Sequence, residues 1–428
     1  MSGLYRPGRQ IAPQRCFDSL LSNERITLLI SRFFSHPMIP EVRLMRSNKA
    51  AIIAAVVFLA LFSVTCRKPR GDQPGAASPA SGTPRSAHWE VAYQSPQSLN
   101  QPEVPLWSYN SISVVSPNVV FVAADYPTLG NMEKRIGIIV RTTDGGATWI
   151  ESQLQVKDID LAALNAIKFV SPTTGWAVGV DGSGFTDVFK TTDGGQTWAG
   201  KKTSFKQSPT SVFFSGKDNG WIGGVATPPD DPEGEAGPSD IMASIDGGST
   251  WSPQYHLPVS INDLSFTGGS SGWAGGIPAS IYHTSDGGKT WGPQHTGLEG
   301  GAAGTAAASK FGMRTVYFVD DMHGWAGAAD TDDNKSMVLG TTNGGVNWTP
   351  LWIMNDEIVR DVLFVNQQEG WAVTSSGEYA YHTTDGGHRW LAEVIKFPQR
   401  VTFYRLGAAD ANRVWAVGGG AIIRRVEE

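Results

Sequence analysis

Beyond residue 66 the apolar positions alternate with polar ones over short runs, and the interval of an amphipathic helix is nowhere sustained. Runs such as Ala166-Ile-Lys-Phe-Val170 and Val362-Leu-Phe-Val365 read as strands. Each leads into a second short strand that opens on Gly175-Trp176, Gly220-Trp221, Gly272-Trp273, Gly324-Trp325 or Gly370-Trp371, with Val414-Trp415 as a last copy. Six times the chain then passes through an octet of the form Ser/Thr-x-Asp-Gly-Gly-x-Thr-Trp, beginning at Thr142, Thr191, Ser244, Thr284, Thr341 and Thr383. In such an octet the Asp carboxylate accepts hydrogen bonds from the turn's own N–H groups, the glycines take positive φ, and the Trp opens the next strand. Asp144, Asp193, Asp246, Asp286, Asn343 and Asp385 are therefore read as structural. Asn343 keeps the acceptor oxygen without the charge, which predicts the weakest of the six turns.

The repeating unit is strand A, a short turn, strand B (the Gly-Trp strand), a loop, strand C, the Asp turn and strand D, at intervals of 40 to 57 residues. Four short strands per period predict an all-β chain folded as a single β-propeller with four-stranded antiparallel blades. Strands A to C occur seven times if 111–123 and 404–426 are counted, whereas the octet occurs six times. The last unit lacks strand D, and His88-Trp89-Glu-Val-Ala-Tyr93 near the front is a strand D without a unit. The expectation is a seven-bladed propeller over 88–428, its N-terminal strand closing the last blade and leaving few free sheet edges.

Residues 50–64 form the long apolar run of the chain, short for a membrane span and preceded by the basic Met45-Arg-Ser-Asn-Lys49. Residues 1–66 are thus expected to be a leader with a signal sequence whose true start is Met45. The run ends at Thr65-Cys66-Arg67 and resembles a bacterial lipoprotein signal, which implies lipid modification of Cys66. A signal anchor and a cleaved secretory signal are the alternatives. Residues 67–87, rich in Pro, Gly, Ala and Ser, read as a flexible tether. The expected location is extracytoplasmic, the propeller held to a membrane by its N-terminal anchor. The other cysteine, Cys16, falls in the leader, so no disulfide is expected.

The full chain carries a net charge of −6; without residues 1–66, which hold 8 basic and 3 acidic side chains, the balance is −11. That sign argues against nucleic acid as a partner. Since strand direction alternates, A–B and C–D turns share one rim, and the longer B–C and D–A connections share the other. The variable loops there, 125–135, 181–187, 227–240, 330–335 and 299–314, are where a rigid scaffold carries recognition. Asp125, Arg135, Asp181, Asp230, Asp231, Glu233, Asp330, Asp332 and Asp333 are the candidate binding residues, and a protein, with membrane proteins among the candidates, is the expected partner. Oligomeric state is not legible.

No P-loop, dinucleotide-binding glycine set, Cys/His cluster or nucleophile elbow is present, so no catalytic residue, cofactor or metal is expected. His283 and His382 share the position that Arg141 and Lys190 hold elsewhere, and read as solvated strand side chains. The 330–335 loop lacks the glycine and distal Glu of a calcium loop. The octet resembles the Asp-box of bacterial sialidases, which keeps a glycan-binding or glycoside-hydrolysing alternative in view. Such an enzyme needs three arginines on a carboxylate, and Arg135, Arg141, Arg314 and Arg360 show no matching spacing.

Taken together, the GWAVG-type strands and TTDGG-x-TW turns over 88–428 resemble the photosystem II stability and assembly factor family. The resemblance implies a seven-bladed, non-catalytic propeller that holds a newly made membrane subunit, in some members as a lipoprotein.

Overall fold

The computed structural model describes residues 87–95, 107–128, 131–226, 237–298, 311–330, 332, 334–397 and 401–427. Cys66, the leader and the tether up to residue 86 lie outside them, as do Asp230, Asp231, Glu233 and Asp333. The described residues belong to a compact unit, Gly82–Glu428, and contain strands and turns but no helix.

Five sheets are four-stranded and antiparallel, each made of consecutive strands. The first comprises β2 (Ser108–Val114), β3 (Val120–Thr128), β4 (Asn131–Thr142) and β5 (Ile150–Gln153). The next four open on β6 (Leu161–Phe169), β10 (Ser208–Ser215), β14 (Ser260–Phe266) and β18 (Phe311–Phe318). The sixth sheet has eight strands. One half runs from β22 (Val359–Phe364) through β23 (Gly370–Thr374) and β24 (Tyr379–Thr383) to β25 (Leu391–Lys396). The other half is β26 (Phe403–Asp410), β27 (Arg413–Gly418), β28 (Ala421–Glu427) and, from the front of the chain, β1 (Ala87–Tyr93).

β1 joins the two halves. It pairs antiparallel with β28, Ala87 opposite Glu427 and Trp89 opposite Arg425, and parallel with β25, His88 opposite Val394. The first strands β2, β6, β10, β14, β18, β22 and β26 each touch the next, and β26 touches β2.

Burial grades outward along each sheet. The second strands are covered on both faces, as in Gly175–Asp181, and so read as small and apolar residues without alternation. The fourth strands, such as Ile150–Gln153, are largely exposed. The Gly-Trp pair has a packing cause. Phe169, Phe214, Phe266, Phe318 and Phe364 stand at or next to the ends of the first strands, directly across from Gly175, Gly220, Gly272, Gly324 and Gly370. A Cβ on any of these glycines would lie 2.2 to 2.4 Å from the facing ring. Where the Phe is absent the glycine is too: Val114 faces Val120, and Ala408 faces Val414. The other face of the Phe ring takes the aromatic of the preceding sheet. Trp176 stacks on Phe214, Trp273 on Phe318 and Trp325 on Phe364, all at 3.5 Å. Each such sheet-to-sheet pair adds roughly 1 kcal/mol beyond its buried area.

The glycines of the Asp turns take positive φ, as at Gly194 (74°) and Gly195 (77°). Gly145, Gly194, Gly247, Gly287, Gly344 and Gly386 each donate their N–H to a carbonyl in the first-to-second strand turn of the same sheet. These two sets of turns therefore form one rim.

Candidate functional site: the axial cavity

Each first strand carries a residue that its neighbour does not match at the same place in the repeat: Asn110, Asn165, Thr210, Asn262, Arg314, Arg360 and Tyr404; β6 and β26 have a second such break, at Ala162 and Ala409. A bulge of this kind turns a side chain out of the sheet's alternation. Here it turns all seven into one cavity of roughly 480 Å³, which Asp125 and Arg135 also line. The bulges lie near the start of each first strand, on the side away from the Asp turns. The cavity thus opens on the rim that carries the longer loops.

The ring of side chains is chemically divided. On one side Asn110 Nδ2 donates to Leu164 O at 2.7 Å, Thr210 Oγ1 to Ile261 O at 2.7 Å, and Asn262 Nδ2 to Met313 O at 2.6 Å. These residues bond sheet to sheet. On the other side stand Arg314 and Arg360, joined by Arg405. The Nε atoms of Arg314 and Arg360 are buried and have no hydrogen-bond partner among the described residues. Burial, and then the neighbouring Arg360 charge, hold Arg314 below its ordinary pKa.

Beneath the mouth a second cavity of roughly 350 Å³ is lined by Asp263, Asp361, Lys168 and Tyr317, with Arg405 between the two levels. Asp361 accepts hydrogen bonds from Thr315 Oγ1 at 2.7 Å, Leu406 N at 2.8 Å and Val362 N at 3.0 Å. Burial pushes its carboxyl up to about 6, against the opposing charge of Arg405. Asp263 accepts from Val316 N and Leu264 N, and burial raises it too, again against Arg405. Burial lowers the Lys168 amine, which sits 4.9 Å from the Phe213 ring centre.

The candidate residues chosen from loops separate on inspection. Asp125 and Arg135 reach the cavity as a pair: Arg135 Nε donates to Asp125 Oδ1 at 2.5 Å. Asp125, only 2% exposed, also accepts from Leu164 N and Asn110 Nδ2, so it ties the first sheet to the second. Asp181 turns inward on its own loop, accepting from Ser183 N and Phe185 N. Asp330 is buried and accepts from Asp332 N, while Asp332 is exposed.

Positions read as solvated are not. His283 stacks on Trp273 and His382 on Trp371, ring centres 4.9 and 4.8 Å apart, both half-buried. Arg141 and Lys190 at the same register instead donate to the carbonyls of Gly194 and Gly247 on the next sheet's Asp turn. Among the described residues no group of three His, Cys, Asp or Glu side chains is arranged to hold a metal.

Within the turns the carboxylates are fully engaged. Asp193 accepts from Thr191 Oγ1 at 2.8 Å, Thr197 N at 2.9 Å and Thr197 Oγ1 at 2.6 Å. Asn343 keeps two of these contacts, from Thr341 Oγ1 and Asn347 N. Asp385 likewise accepts from Thr383 Oγ1 and Arg389 N, no hydroxyl standing at residue 389.

The cavity arginines were missed because their spacing is not that of a sialidase. The signal that finds them is the offset: each bulged residue stands eleven positions before the aromatic of its second strand, from Asn110 before Phe121 to Tyr404 before Trp415. Arg314 and Arg360 hold this place before Trp325 and Trp371, and adjacency of their strands brings them together.

No family model and no curated protein matches the chain. Solved structures do. The structure described as YCF48 bound to D1 peptide is 18% identical, with a TM-score of 0.56 over 79% of this chain and 97% of that one. The fold is that of the YCF48 β-propellers. YCF48 from Cyanidioschyzon merolae is 15% identical, with a TM-score of 0.53 over 79% of this chain and 98% of its own. A GH74 xyloglucanase from Xanthomonas campestris, 11% identical, aligns over 74% of this chain and 65% of its own with a TM-score of 0.42.

Proposed function

We propose that the chain is a non-catalytic propeller that binds a polypeptide partner on its loop-bearing rim, in the manner of an assembly factor. The observation that carries this reading is the placement of the arginine-bearing cavity at the centre of that rim, with short, mutually bonded turns on the other. The YCF48 propeller of the same fold has been solved with a peptide bound, which supports a polypeptide as ligand here. The carboxylates nearest the cavity speak for a binding surface rather than acid–base chemistry. Asp125 and Asp361 are each saturated by three or more donors, which makes them acceptors that hold strands.

The reading counts seven blades, the two halves of the eight-stranded sheet being taken as two blades that β1 holds together. It also includes export and an N-terminal membrane anchor with Cys66 as the lipidated residue. Labelling with a radioactive fatty acid tests the anchor: the label enters the wild type and not Cys66→Ala.

An affinity-tagged chain, extracted in detergent, tests the function. One polypeptide is expected to copurify with the wild type, and to be lost on deleting residues 227–240 or on the double change Arg314→Gln, Arg360→Gln. Equal recovery from all three forms, or turnover of sialosides or xyloglucan oligomers, overturns the reading.

A further inference from the structure

We propose that the axial cavity is a recognition site for a carboxylate that carries a hydroxyl or amine donor a few ångströms away. The proposal deepens the polypeptide-partner reading, since it names the chemistry of the same cavity, but small probes on the isolated chain test it separately from copurification of a partner.

Two walls of the cavity carry unmet hydrogen-bonding capacity of opposite sense. On one wall the buried Nε atoms of Arg314 and Arg360 donate to nothing among the described residues. On the other the buried Oδ1 of Asn165 accepts nothing, although its Nδ2 donates to Ser208 Oγ at 3.2 Å. All three residues line the same cavity. Orphaned buried polar atoms are rare in folded chains, and each costs free energy until a partner arrives. The other such atoms among the described residues, four tryptophan indoles and the Asp187 carboxylate, belong to residues that do not line this cavity.

The charge argument points the same way. Arg405 lies within the field of Asp263 and Asp361. Arg135 is paired with Asp125. Arg314 and Arg360 have no such counter-ion among the described residues, and each repels the other. Two adjacent guanidinium groups present planar forks whose N–H donors match the two oxygens of a planar carboxylate. The unpaired Asn165 oxygen then requires a donor on the same ligand. A volume of roughly 480 Å³ is within the range that holds a small organic molecule or one terminal residue of a chain. The chemistry thus has two sources, a free hydroxy or amino acid such as a uronate, and the C-terminal residue of a polypeptide.

Isothermal titration of the purified chain at low salt, where such attraction is least screened, distinguishes them. The probes are glucuronate, a tripeptide with a free C-terminus, its C-terminal amide, cyclohexanecarboxylate and inorganic phosphate. Glucuronate or the free-acid tripeptide is expected to bind, with the amide at least tenfold weaker. Arg314→Gln and Arg360→Gln should each raise the Kd at least tenfold, and Arg314→Lys by less. Asn165→Leu should weaken glucuronate or the tripeptide several-fold while leaving cyclohexanecarboxylate unchanged, an effect that loss of fold cannot imitate. A melting curve on each variant guards against misfolding, and removing one of two like charges is expected to raise Tm. Failure of both acids to bind, equal binding by the amide, equal or tighter binding of phosphate, or arginine variants that melt like the wild type and bind undiminished each overturns the assignment.

Discussion

The indole Nε1 of Trp325 donates to the carbonyl oxygen of Gly386, in the Asp turn of the neighbouring four strands, at 2.9 Å. Trp176, Trp221 and Trp273 repeat the bond to Gly247, Gly287 and Gly344 at 3.0, 3.1 and 3.1 Å. Trp371 has the same ring in the same strand but no such bond. It faces the quartet completed by β1, where no Asp turn exists, and its Nε1 is buried without a partner. Trp325→Phe is therefore expected to cost about 1 kcal/mol or more, since it removes the bond and orphans a carbonyl. Trp371→Phe loses comparable ring volume but no bond, so it should cost about 1 kcal/mol less than Trp325→Phe. Urea denaturation of both variants decides it; equal losses would show that ring packing alone stabilises these junctions.

Acid should unfold the protein through its turns. Hydrogen bonds from the Thr at the turn's far end hold the carboxyls of Asp144, Asp193, Asp246 and Asp286 down to about 2 from the ordinary 3.8. A folded pKa below the unfolded one gives stability that is full above pH 4 and lost as pH falls through about 2. The expected Tm is insensitive to these groups above pH 5 and drops between pH 4 and 2. Asp286→Asn should reduce that slope, whereas Asn343→Asp should steepen it. Parallel Tm profiles for both variants and the wild type would refute the assignment.

The axial carboxylate has the opposite sign. Burial raises Asp361 to about 6 in the fold. Its contribution is thus present below about pH 4 and lost as pH climbs through about 6, by at most about 3 kcal/mol. Asp361→Asn changes the bonding to Leu406 and Val362 at every pH, so the slope is the readout and not the level. Stability of the variant relative to wild type should improve from pH 4 to pH 7. A flat difference over that range would mean that Arg405 keeps Asp361 ionised throughout.

Closure of the ring relies on a buried ion pair. Glu393, 6% exposed, accepts from Trp89 Nε1 at 2.9 Å and pairs with Arg425 at 2.9 Å. Glu393→Ala leaves Arg425 buried beside Glu427 alone, and a loss of about 3 to 5 kcal/mol is expected. Glu90→Ala breaks a half-exposed pair to Arg424 in the same strands and should cost under about 1 kcal/mol. Hydrogen exchange at the Trp89 indole distinguishes them: it should accelerate in the first variant only.

Much of the architecture is legible because its determinants are local. An octet such as Thr191–Trp198 carries both ends of its own hydrogen bonds, and Gly-Trp marks a strand squeezed between two layers. Trp89 could be matched to the fourth strands from the residues around it. The site escaped the same reading for a physical reason. Asn165, Arg314 and Arg360 differ in residue type, and their common offset of eleven from the next aromatic acquires meaning only when pairing across the sheet reveals the bulge at that position. Asp125 and Asp181 drew notice as exposed charge, yet Asp125 spends its oxygens on Arg135, Asn110 and the Leu164 N–H of the next sheet, and Asp181 on the N–H groups of its own loop. Asp187 sits buried with neither oxygen bonded, its carboxyl pushed up to about 6, and no feature of the sequence distinguishes it from them.

β1 enters beside Glu427 and runs with β25, away from the Asp turns. Both ends of the wheel consequently emerge from its floor. Ala87 and Glu427 therefore lie at the end of the sheet opposite the arginine-lined cavity, so neither described strand end competes with that cavity for space.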